Sequence, residues 1–198
     1  IQLNIFVASM NHRFFHFHKD LELIMVLEGS ICVDCGKNKY ELQKNDIIIL
    51  NKNEMHGVYK TKEDNVILAL QFDQNICENY YPQIKNIKFT QYRISKNTDG
   101  ALWTKIAGYI FEMVGSYILK KEGYSINLVG TINSILYTFI SGGMYEVLDE
   151  KSVAAESKNT ERLNHIMEYM QNNFMYRITL KKIAEKENLD MFYLSILF

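Results

Sequence analysis

His16 and His18 stand two residues apart, Glu22 follows four residues after His18, and His56 lies just past an Asn51, Lys52, Asn53 turn. Three imidazoles and one carboxylate are a donor set suited to a divalent transition ion such as Zn, Fe, Mn or Ni. If residues 14–18 form a strand, its period of two puts His16 and His18 on one face, so that both can reach one site. The same side chains could instead line a pocket for a small polar molecule, or satisfy one another's hydrogen bonds in the core. All three uses are open at this level. Cys32 and Cys35 also have a suggestive spacing, but Cys77 is the one remaining thiol and no second pair completes a zinc site.

To carry His56 back against His16 the chain must reverse several times, and its first part is patterned for that. Runs of Val, Ile, Leu, Phe and Tyr predict strands over 5–8, 14–18, 21–27, 30–35, 39–42, 47–50, 56–59 and 66–72. Gly, Asn and Asp clusters punctuate them, as in Glu28-Gly29, Gly36-Lys37-Asn38 and Lys44-Asn45-Asp46. Short strands at this spacing point to a barrel or jelly roll. Residues 74–100 read as a connection with one more strand near 88–92.

From residue 101 the period becomes helical. Leu102, Ile106, Ile110, Met113, Val114 and Tyr117 share one face, and Ile126, Val129, Ile132, Ile135, Leu136 and Phe139 another. The two helices, joined by Lys120-Lys121-Glu122-Gly123, form a hairpin broad enough to cover the barrel and to meet a second subunit. Ile106, Ile110, Met113, Tyr117, Ile132 and Leu136 are the residues expected at that dimer contact. Residues 149–160 (DEKSVAAESKNT) are charged and small and read as a linker. A further amphipathic helix follows, with Leu163, Ile166, Met167, Met170 and Phe174 on its face.

The last twenty-one residues, ITLKKIAEKENLDMFYLSILF, show a helix, a short turn and the start of a second helix. Thr179 is placed to cap the first, with Leu180, Ile183 and Ala184 facing inward. Asn188, Leu189 and Asp190 make the turn, and Leu194, Leu197 and Phe198 continue the inward spacing. Met191, Phe192, Ser195 and Ile196 form the outward face, which in a helix-turn-helix enters the DNA major groove. An ordinary helical hairpin fits the same periodicity.

The rest of the composition narrows the class. The chain has 198 residues, 47% of them hydrophobic, enough for a substantial core. It contains no apolar run of roughly 18 residues that could span a bilayer. Its start lacks the basic-then-apolar pattern of a secretory signal, and its three cysteines are an odd number. A cytoplasmic protein is the expectation. The net charge of -1 excludes a global basic field, so any DNA contact must be local.

The spacing His16-Phe17-His18, Glu22, Gly29 resembles the first cupin motif in full. The second motif is matched in outline, with His56 in place but Asn45, Asn51 and Asn53 where Gly, Pro and Gly are usual. Met10 likewise replaces an upstream Gly. With the helical hairpin, linker and helix-turn-helix in that order, nearly the whole chain resembles the AraC family of bacterial transcription regulators. The resemblance implies an α+β chain: a cupin-like effector-sensing barrel over 1–100, a dimerising hairpin over 101–148, a linker over 149–160 and part of a DNA-binding domain over 161–198.

It also implies a small-molecule effector, a homodimer, promoter DNA as partner, no membrane and no catalysis. His16, His18, Glu22 and His56 would line the effector pocket without a required cofactor, although a divalent metal there remains open. Phe192, Ser195 and Ile196 would approach base edges; Ile196 departs from the usual Arg and can meet a thymine methyl but cannot donate to guanine. In the family a linker helix and a second helix-turn-helix would follow Phe198. Between residues 158 and 198 six Lys/Arg face five acids, a balance of +1. Little affinity is then available from counterion release, and weak DNA binding by these 198 residues alone is expected, checked by a gel shift. The alternative reading, from the cupin resemblance, is a metal-dependent oxygenase or isomerase.

Overall fold

A computed structural model describes residues 3–187 and residue 190. The chain divides into two compact units, 1–147 and 148–198. In the first, eight strands precede any helix: β1 (Leu3–Ala8), β2 (His12–His16), β3 (Leu21–Glu28), β4 (Ser30–Cys35), β5 (Asn38–Gln43), β6 (Ile47–Leu50), β7 (His56–Lys60) and β8 (Val66–Phe72). Two short helical turns, Gln74–Cys77 and Pro82–Asn86, lead to β9 (Ile87–Phe89) and β10 (Arg93–Ile94). Helices α1 (Gly100–Leu119) and α2 (Tyr124–Ser141) and strand β11 (Tyr145–Val147) complete the unit.

All pairing is antiparallel. One sheet has the order β1-β8-β3-β6-β10, a second β2-β7-β4-β5, and β9 pairs with β11 in a small third ribbon. The period of two assigns the two sides of β3 different work. Ile24 and Val26 face the second sheet, packing with Val33, Leu42 and Val58 between the sheets. Leu21, Leu23 and Met25 face the helices, packing with Ile106, Ile110, Ile132 and Phe139. A strand covered on both sides reads as an almost continuous apolar run, LELIMVL, in which Glu22 is the lone charge.

Gly29, at the β3–β4 turn, has φ +65°, and a Cβ there would sit 1.8 Å from the Asp64 carbonyl oxygen. Only glycine fits. Asn45 and Asn53, which replace the usual glycines, also have positive φ, 73° and 58°. Asn tolerates this left-handed region better than most side chains, so the two departures preserve the backbone path. The Trp103 indole N–H donates to the Asn45 carbonyl, fastening α1 to that turn.

Several expectations require correction. Ile106, Ile110, Met113, Ile132 and Leu136 are buried in their own unit's core beneath the hairpin, so they are not free to meet a second subunit. Tyr117 is half-buried. The exposed apolar side chains of the hairpin are instead Phe111, Ile118, Leu119, Ile126 and Tyr137. Ile126, expected on the inward face of α2, is 77% exposed, and Leu128 takes the buried position. The strand expected over 88–92 is split into β9 and β10, and β11 was not anticipated.

In the second unit, α3 runs from Glu150 to Asn173 and α4 from Leu180 to Glu187. Residues 149–160, expected as a linker, are therefore largely the first half of a long helix, capped by Asp149, which accepts from the Ser152 N–H at 2.7 Å. Ile166 of α3 packs with Ile183 and Ala184 of α4, with Tyr169 and Ile178 at the margin. Thr179 caps α4 as expected, accepting from the Lys182 N–H at 3.3 Å. Leu180, Met167, Met170 and Phe174, expected to face inward, are exposed. Asn188, Leu189 and residues 191–198 lie outside the described residues, and with them the expected DNA-reading face of Met191, Phe192, Ser195 and Ile196. Among the described residues, no helix is long and apolar enough to cross a membrane.

Candidate ligand and metal site

The four residues singled out by type and spacing meet in space. One donor atom from each of His16, His18, Glu22 and His56 lies within 4.8 Å of all the others. Glu22 reaches the site because it occupies the same side of β3 as Ile24 and Val26. His16 ends β2 and pairs with His56, the first residue of β7, so their rings face each other with centroids 4.3 Å apart. The β2 strand ends before His18, which arrives from the following loop instead of from the strand. A break in register between Arg13 and His16 adjusts the approach.

Each imidazole is oriented by the same device. His16 Nδ1–H donates to the Phe14 carbonyl at 2.9 Å, His18 Nδ1–H to the Asp20 carbonyl at 2.9 Å and His56 Nδ1–H to the Glu54 carbonyl at 2.8 Å. A carbonyl oxygen only accepts, so in all three rings Nδ1 carries a proton and Nε2 is the nitrogen presented to the site. This second tier of hydrogen bonds is the one that fixes metal-binding histidines. His16 Nε2 is buried with no hydrogen-bond partner. His18 Nε2 and His56 Nε2 lie 3.0 Å and 3.2 Å from Glu22 Oε2.

The electrostatics match. Burial pushes the His16 imidazole down to about 4, with His56 and Arg13 acting in the same sense, so at neutral pH its Nε2 lone pair is available. Burial also opposes charge on His18 and Glu22, but their mutual hydrogen bond outweighs it. His18 is raised, and Glu22, bonded by His18 and His56, is held below the usual carboxylate range. A carboxylate that stays ionised beside a proton-holding imidazole shows that the cluster accommodates positive charge next to Glu22. The donor set and the inward Nε2 atoms thus fit a divalent ion.

Two supporting groups were not anticipated. Gln71 of β8 pairs in register with Glu22 and donates from Nε2 to Glu22 Oε1 at 3.0 Å, leaving Oε2 to the histidines. It was visible as the one polar residue on the interior side of VILALQF, but strand register was needed to place it. The other is the turn before His56. Glu54 is held by the Tyr92 hydroxyl at 2.7 Å, by Lys88 at 3.3 Å and by the Asn51 amide at 3.2 Å. Cys32, Cys35 and Cys77 are free thiols outside the cluster, and burial raises Cys35.

Comparison with known proteins agrees with this arrangement at the level of the domain. Residues 5–96 match the sequence model of the AraC-like ligand binding domain. No curated protein matches the chain. Among solved structures it is similar to a conserved Streptococcus pyogenes protein of unknown function, with 18% identity and a TM-score of 0.34 over 36% of this chain and 64% of that one. It is also similar to a cupin-2 domain containing protein from Shewanella frigidimarina, with 20% identity and a TM-score of 0.32 over 34% and 68% of the two chains. A third similar structure is Bacillus subtilis oxalate decarboxylase with Mn(II) centres, at 19% identity and a TM-score of 0.35 over 39% of this chain and 22% of that one. The fold class is α+β, with cupin-like antiparallel sheets followed by helices. The match to the AraC-like ligand binding domain thus spans residues 5–96, the strand-rich part of the chain that holds the cluster.

Proposed function

We propose that this chain is the sensing part of a DNA-binding transcription regulator, and that its small-molecule effector is taken at His16, His18, Glu22 and His56. The observation that carries the sensing reading is the family match of residues 5–96, which contains all four residues. The space between the sheets is filled by apolar side chains such as Ile24, Val33, Leu42 and Val58, so the polar cluster is where a polar ligand finds partners. Half-buried His16 and His18 open it to solvent.

The same four residues would hold a divalent ion, through three Nε2 atoms and Glu22 Oε2. When bound, such an ion supplies a Lewis acid that an oxygen donor of the effector can join. The chain's own residues do the rest: the Phe14, Asp20 and Glu54 carbonyls hold the ring orientations, Gln71 steadies Glu22, and Arg13 adds positive charge that favours an anionic ligand. Pairing of two copies through the exposed side of α1 and α2 would set the spacing of two DNA readers, of which α3 and α4 form the leading part. Promoter DNA and a homodimer are thus the expected partners.

A second reading, a metal-dependent enzyme of oxygenase or isomerase type, is favoured by the same donor set. The two part on what becomes of the ligand. In a thermal-shift screen of small organic acids against the Ni²⁺-loaded chain, a sensor yields a compound that raises the melting temperature by several degrees at about 100 times its Kd. NMR of that mixture then shows the compound unchanged. Conversion to product overturns the sensor reading in favour of the enzyme.

A further inference from the structure

The turn that delivers His56 also grips a strand on the far side of the site. Asn51 is buried, and its side-chain amide pairs with both backbone groups of one residue: Nδ2 donates to the Phe89 carbonyl at 3.0 Å and Oδ1 accepts from the Phe89 N–H at 2.8 Å. The same Nδ2 donates to Glu54 Oε2, and the Glu54 carbonyl orients His56. The turn is joined to the other half of the cluster as well, because the Asn53 N–H donates to the His18 carbonyl at 2.7 Å. Phe89 in turn faces Tyr145 in the β9–β11 ribbon, and the Thr90 N–H donates to the Met144 carbonyl at 3.0 Å.

That ribbon is the smallest sheet of the first unit among the described residues. It has three residue pairs; Ile87 and Phe89 of β9 are held in the core, while Glu146 and Val147 of β11 are exposed, so β11 is the side with little to hold it beyond the pairing itself. An exposed, three-residue edge of this kind is where local opening costs the least free energy. Residue 148, directly after β11, begins the second compact unit. An element that opens locally, tied at one end to the ligand site and continuous at the other with the next unit, is what coupling requires.

We propose that Asn51, clamped on the Phe89 backbone, relays occupancy of the His16, His18, Glu22, His56 cluster to the β9–β11 pair that leads into the second unit. An ion or effector that fixes His56 also fixes the 51–54 turn, and Asn51 then holds β9 in the position that β11 needs. Local opening of β11 becomes rarer when the site is filled. This inference rests on the reading of the cluster as a ligand site.

The test is hydrogen exchange on the full chain, with and without Ni²⁺, alongside calorimetric titration of the same ion. In the unsubstituted chain Ni²⁺ slows exchange at residues 145–147 by about five- to tenfold, within the usual range of coupling between sites. In Asn51→Ala, compared with the unsubstituted chain at Ni²⁺ concentrations that saturate each in the calorimeter, the protection of 145–147 is lost. Tyr92→Phe, which removes one hydroxyl from the Glu54 network and keeps the ring beside Tyr40, gives an intermediate loss and serves if Asn51→Ala does not fold. Ni²⁺ binding without protection at 145–147, or full protection in both variants, overturns the relay alone. No Ni²⁺ binding to the unsubstituted chain overturns the ligand-site reading, and the relay with it.

Discussion

Glu22 is the residue on which the site turns: a buried carboxylate within the apolar run of β3, approached by the His18 and His56 rings and steadied by Gln71. Removing the outer support should therefore weaken the site without dismantling it. Gln71→Ala is expected to lower Ni²⁺ affinity by about 10- to 100-fold, measured by calorimetry, as loss of a partner behind a metal ligand generally does. The membership of the four-residue cluster was legible in sequence because residue types and spacing carry it directly. The tautomers were not, because they depend on the Phe14, Asp20 and Glu54 carbonyls, which only folding brings to the rings. Asn51 was read as a departure from a motif; its pairing with Phe89, 38 residues away, has no local signature.

At the level of elements, apolar periodicity located β1 to β8 within a residue or two and both helices of the hairpin, since burial on a known period is what that pattern records. It could not say what covers each face. Ile106 and Ile110 face β3, so Ile110→Ala is expected to cost about 2–5 kcal/mol of folding stability by leaving a cavity in the core, visible as a lowered melting temperature. Phe111 and Ile118 lie one to two turns apart on the exposed side of α1. Phe111→Asp with Ile118→Asp is expected to convert a dimer to a monomer in sedimentation analysis while changing stability by no more than about 0.5 kcal/mol per site, the usual scale for exposed positions. A dimer that survives both places the contact elsewhere. Residues 149–160 were misread because periodicity reports faces: KSVAAESK has no apolar stripe, yet its Ala, Glu and Lys are strong helix formers, and Asp149 supplies the cap.

At the scale of the whole molecule, the order barrel, hairpin, helices was readable because each segment has its own period, and the family match covers the barrel. The β9–β11 pairing was not readable, since its strands begin 58 residues apart, at Ile87 and Tyr145. The cluster in the barrel is proposed to be a ligand site able to hold a divalent ion, and calorimetric titration of the full chain with Ni²⁺ tests this. One saturable site per chain is predicted, absent in His16→Ala with His56→Ala and present in Cys32→Ser with Cys35→Ser. No saturable binding, or binding that the histidine substitutions leave intact, would contradict it.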